Sequence, residues 1–265
     1  MTPRERMLIA MQGGKPDRVP ACPDISNMIP CRLTGKPFWE IYYFREPALW
    51  EAYIEAVRYF GIDGWFTYGD MQFQWPMQRY EAIEEMRRTA ERMTVRYRGR
   101  LDGARYTYEV TYYVADPPTT TEKMVKDLTA DWGLLERLFS LPVGYNPSLL
   151  RKQREEFGEL GIFGVSIGYP GFQAWFGLFQ GGVEQLTYAY YDAPELVEEL
   201  RRLHERMVCK QMEMILEERP DFVLLGGSGT LTLQSPAIAR ALSLPTIQKL
   251  TRLAKEAGVP TMLHS

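Results

Sequence analysis

The stretch TPRERMLIAMQGGKPDRVP, residues 2–20, reads as a short helix, a basic turn and the start of a buried strand. Thr2 and Glu5 have the spacing of a capping box, in which each side chain serves the other's free backbone N–H. Pro3 occupies a first helical position, where no N–H is needed. Met7, Leu8 and Met11 then share one helical face. Gly13 and Gly14 stop the helix, Lys15-Pro16-Asp17-Arg18 make a turn, and Val19-Pro20 enter the core.

Beyond this opening, short apolar runs alternate with helical patterns, which predicts a parallel sheet with crossover helices. The first strand is expected over 19–25, followed by a helix from Pro47 to Phe60 that Gly61 ends. A second strand covers 63–70 and a helix 77–91. Residues 93–115 break the pattern: alternating β-branched and aromatic residues flank Asp102-Gly103, a two-residue hairpin signal, and predict an antiparallel excursion. Alternation resumes with helices near 129–139 and after Asn146-Pro147, then a strand over 161–170 and a helix over 174–190. Asp192 is read as the cap of the longest helix, 194–218, whose stripe of Leu196, Leu200, Leu203, Met207 and Met214 is core packing. Strands at 221–227 and 259–265 enclose two helical pieces opened by Ser235-Pro236 and Leu244-Pro245.

Composition narrows the function classes. A net charge of −3 and a pI near 5.6 give no basic footprint for nucleic acid. The longest apolar region, 161–182, is broken by glycines and Pro170, so no membrane span is expected. Cys22, Cys31 and Cys209 are too few and scattered for a disulfide framework, which predicts a reduced, cytoplasmic setting. Aromatics at 13% suit either a deep organic-ligand pocket or a large core.

Five parallel strands with interleaved helices make an α/β fold, either an open sheet or a (β/α)8 barrel. The string at 2–20 resembles the opening of the uroporphyrinogen decarboxylase superfamily, which includes the decarboxylases and the zinc-dependent corrinoid methyltransferases. The order of segments resembles that superfamily's TIM-type (β/α)8 barrel along the whole chain. The resemblance implies one barrel domain over 1–265 with five of eight strand–helix units, so a C-terminally shortened chain or one whose partner supplies the missing wall is expected. Exposed barrel edges then imply self-association into a homo-oligomer.

Working residues of such barrels lie at the carboxyl ends of strands, which selects Asp24, Asp70, Tyr169, Ser228 and His264. Asp70 resembles the acidic residue that contacts substrate pyrrole N–H groups in the decarboxylases; a turn cap is the alternative. Ser228, in LLGGSGTLTLQSP, resembles the serine after the fourth strand, although Gly-Ser-Gly replaces the usual Asp-Ser-Trp. Phe176 stands six residues after Pro170, where decarboxylases carry a tyrosine. The arginine-rich segment that binds substrate carboxylates after strand one is missing, leaving Arg32 and Lys36 as anion partners in PDISNMIPCRLTGKPFW.

His264 resembles the histidine of the methyltransferase His-x-Cys motif, here Leu263-His264-Ser265. It would be a zinc ligand in a chain continuing past Ser265 with a further cysteine. The resemblance therefore implies methyl transfer between a corrinoid such as methylcobalamin, free or on a corrinoid protein, and a thiol-type acceptor. Asp70 and Ser228 are then the catalytic candidates, with Asp24, Arg32, Tyr169 and Phe176 around the substrate. Decarboxylation of a tetrapyrrole is the alternative, and a non-catalytic corrinoid-binding subunit the third.

Overall fold

The structure, a computed structural model, describes residues 1–229 and 232–264. Helix α1 (Pro3–Met11) leads through α2 (Met28–Leu33), a π-helical turn (Glu40–Phe44) and α3 (Leu49–Phe60) into β1 (Gly64–Gly69). Strands β2 (Phe73–Gln74), β3 (Arg79–Arg88), β4 (Arg92–Leu101), β5 (Ala104–Tyr113) and β6 (Thr119–Glu122) follow. Next come α4 (Trp132–Leu138), β7 (Gly144–Tyr145), α5 (Ser148–Phe157) and β8 (Gly161–Gly168). The chain continues with α6 (Phe172–Phe176), α7 (Gly182–Asp192), α8 (Pro194–Glu217) and β9 (Phe222–Gly226). Helices α9 (Pro236–Ile238) and α10 (Leu244–Glu256) then precede β10 (Thr261–His264).

The fold is α/β. Among the described residues β1, β8, β9 and β10 form one parallel sheet in that order, each strand beside the next in the chain's βα succession. Alternation along the strands divides the side chains between two faces. Phe66, Phe163, Val165, Val223 and Leu225 point to one face and are covered by α3, α5, α8 and α10. On the other face Ile162, Phe222 and Leu224 meet Met7 of α1 near the amino ends of the strands. Helix α1 forms as its sequence predicts: Thr2 Oγ1 accepts from Glu5 N–H, and Glu5 Oε2 accepts from Thr2 N–H. Gly161 and Gly64 lie in register, and a Cβ on Gly161 would come within 1.8 Å of the Gly64 carbonyl oxygen. Only glycine permits β1 and β8 to approach so closely.

Several expected elements take another form. Residues 19–25 form no strand, because Pro20 and Pro23 lack the N–H groups that a ladder requires. One backbone bond, from Asp63 N–H to Ala21 O at 2.9 Å, ties this segment to the start of β1. The helix expected over 77–91 is instead strand β3, paired antiparallel with β4. The excursion is therefore a four-stranded sheet, β3-β4-β5-β6, turning at Asp102-Gly103 with φ of 45° and 88°. Expected helix 174–190 is two helices, α6 and α7, and α8 begins after Ala193 with no side-chain cap from Asp192. No helix among the described residues is long and apolar enough to cross a membrane.

Candidate functional site

Three segments distant in sequence converge at the carboxyl ends of the parallel strands. Asp24, Ser228 and His264 line one cavity of about 240 Å³, together with Asn27, Tyr53 and Trp65. His264 is the last residue of β10, in register with Gly226 of β9, and Gly227 N–H donates to the His264 carbonyl at 3.1 Å. Ser228 follows β9, and its carbonyl accepts from Gln173 Nε2 at 2.6 Å, which fixes the loop after the strand. Asp24 lies in the segment before α2, where its Oδ1 accepts from Ser26 N–H at 2.7 Å.

Tyr53 supports this wall from α3. Its hydroxyl accepts from Trp65 N–H at 2.8 Å and donates to Trp65 O at 2.7 Å. One side chain thus serves both backbone groups on the edge of β1 that a neighbouring strand over 19–25 would have paired. Burial pushes the Tyr53 hydroxyl well above its ordinary pKa, so it stays protonated.

Asp70 is in a different cavity. It closes β1 and lines a space of about 430 Å³, and both cavities share Thr67 and Tyr68. Tyr68 donates its hydroxyl to Asn27 Oδ1 at 2.6 Å, and Asn27 lines only the cavity of His264. The Asp70 Oδ1 accepts from Gln72 N–H at 2.9 Å, and the Asp70 N–H donates to Gln153 Oε1 at 3.0 Å. Asp70 is thus a turn-forming residue that also faces a cavity.

Tyr169 packs its ring on Gly227, where a Cβ would lie 2.5 Å from Cε1, so it abuts the Ser228 loop without lining the cavity. Arg32 lies exposed on α2, away from both cavities. Phe176 ends α6 and packs into the hydrophobic cluster of Leu101, Phe172 and Leu186. Sequence reasoning missed Trp65 and Thr67, which share the cavity face with His264. Period-two alternation about the core-facing Phe66 was the available signal.

Among the described residues no three His, Cys, Asp or Glu side chains come together as a metal-binding group. His264 and Asp24 are the imidazole and carboxylate on the cavity. Burial pushes the Cys22 thiol up to about 11, with Asp63 and Asp24 acting in the same direction, so it is not a ready thiolate. The zinc ligation expected of His264 depends on a cysteine past Ser265, and Ser265 lies outside the described residues. Comparisons with protein-family models, curated proteins and solved structures return no match.

Proposed function

We propose that this chain is a corrinoid methyltransferase-like protein of the uroporphyrinogen decarboxylase superfamily, built on part of a (β/α)8 barrel. The observation that carries the reading is the convergence of Asp24, Ser228 and His264 on one cavity at the carboxyl ends of parallel strands. That is where (β/α)8 proteins hold their ligands. The succession β1-β8-β9-β10, with helices over one face and α1 across the base of the other, supports the barrel part of the proposal.

A corrinoid is larger than 240 Å³, so the cavity takes one edge of the macrocycle with its amide-bearing arms. The Asp24 carboxylate accepts amide N–H groups, while Ser228 and His264 each offer a donor or an acceptor. The reaction class is transfer of the methyl group to a thiol-type acceptor. Zinc is assigned no step, because the cysteine that would join His264 is expected only past Ser265.

Incubation with methylcobalamin and 2-mercaptoethanol, followed by the corrinoid absorbance, tests this reading. Demethylation that is lost in His264→Ala is expected; demethylation equal in both proteins contradicts it. Decarboxylation of a tetrapyrrole is the second reading, favoured by Asp70 at the end of β1 on the adjoining cavity. It requires that uroporphyrinogen be consumed and that Asp70→Asn abolish the consumption.

A further inference from the structure

The 430 Å³ cavity beside β1 has a composition of its own. Tyr42, Trp50 and several aliphatic side chains make its wall, and two oppositely charged residues, Arg45 and Asp70, line it. No ion pair joins Arg45 to Asp70 or to any other described residue. Gln153, 1% exposed, also lines the cavity; its Oε1 is taken by Asp70 N–H, which leaves its Nε2 amide as a donor for a guest.

The backbone that presents Arg45 is unusual as well. Arg45 follows the π-helical turn Glu40–Phe44 in the left-handed region, with φ 61° and ψ 43°, and its N–H donates to Glu40 O. A non-glycine residue seldom adopts this conformation, and π-helical turns and such strained residues concentrate at functional sites. Here the turn sets Arg45 on the rim of the cavity that Asp70 also lines.

We propose that this cavity binds a small zwitterion with an apolar body, of the α-amino-acid class. Arg45 receives the carboxylate, Asp70 Oδ2 receives the ammonium group, and the aromatic and aliphatic wall takes the side chain. An ionised pair of complementary contacts fits two opposite charges that line one cavity without neutralising each other. The inference does not rest on the corrinoid reading, since Arg45 and Asp70 line this cavity and neither lines that of His264.

Isothermal titration without any corrinoid tests it, using L-phenylalanine as the probe. Phenylalaninamide lacks the carboxylate and 3-phenylpropanoate lacks the ammonium group. Saturable binding of L-phenylalanine is expected, with each control weaker by about tenfold or more. Arg45→Asn, which tolerates the left-handed backbone, should reduce L-phenylalanine to the level of the amide and leave amide binding unchanged. Asp70→Asn keeps an oxygen for the Gln72 turn and should reduce L-phenylalanine to the level of phenylpropanoate. No saturable binding at millimolar L-phenylalanine overturns the proposal. Binding that ignores either variant, with both variants folded by circular dichroism, overturns it too.

Discussion

Arg6 of α1 is buried and ion-pairs with Asp63, a fully buried carboxylate at the threshold of β1. Asp63 also receives Arg18 at 2.8 Å and the Ala21 N–H at 2.7 Å. Arg6 completes its fork on Asp17, with Nε–Oδ1 at 2.7 Å and Nη2–Oδ2 at 3.0 Å. The polar residues of the opening string are therefore structural: they fasten α1 and the segment at 19–25 to the parallel sheet.

Asp63→Ala leaves Arg6 buried without its central partner. Removing one member of a buried ion pair costs about 3–5 kcal/mol. Urea denaturation should show a loss of that order, whereas a change near zero would remove Asp63 from its anchoring role.

Acid should weaken the same cluster from its exposed side. The Arg6 guanidinium holds the Asp17 carboxyl at about 2, below its ordinary 3.8. The unfolded chain therefore takes up a proton at a higher pH than the folded one. The stability from this pair is complete above roughly pH 4 and is lost as pH falls through about 2. Asp17→Asn should flatten the stability profile in that window; a profile as steep as the wild type's would exclude the mechanism.

A second pH dependence lies in α8. His204 is buried, its Nδ1 accepts from Trp175 Nε1 at 3.1 Å, and its ring centroid is 4.9 Å from that of Phe139. Burial lowers its pKa from 6.5 to about 4. Between those values the unfolded state binds a proton that the folded state refuses, so stability falls as pH drops through the window. The loss should reach about 3 kcal/mol by its lower end. His204→Gln keeps an acceptor for Trp175 and does not titrate. Urea midpoints at pH 7 and pH 4.5 should differ markedly in the wild type and little in the variant; equal differences would refute the assignment.

How far the fold could be read from sequence depended on whether a signal was local. The capping box at Thr2 and Glu5, the Asp102-Gly103 turn and the apolar runs at β8, β9 and β10 are local, and each forms in its expected place. The sequence of β3 predicts a helix because Glu-Ala-Ile-Glu-Glu-Met has strong helical propensity, which pairing with β4 overrides. The segment 19–25 looked like a strand by composition, yet its prolines and the Tyr53 hydroxyl on Trp65 leave it out of the ladder. The Arg6–Asp63 pair spans 57 positions, and no short motif announces it.

For the site, the rule that strands present their working residues at their carboxyl ends selected Asp24, Ser228 and His264, which line one cavity. It also selected Asp70, which lines the next one, and Tyr169, which lines neither. Arg32 and Phe176 came from matching positions in a resembling family, and the fold sets them on an exposed helix and in a hydrophobic cluster. Arg45 had no sequence signal, because its left-handed backbone follows from a π-helical turn that spacing does not reveal.

The corrinoid is proposed to bind in the cavity of Asp24, Ser228 and His264. The most direct measurement is a titration of the protein with methylcobalamin, followed by equilibrium dialysis, on the wild type, His264→Ala and Asp24→Asn. Saturable binding by the wild type, weakened about tenfold or more in each variant, is the predicted result. No saturable binding by the wild type, or binding that both variants retain in full, would contradict it.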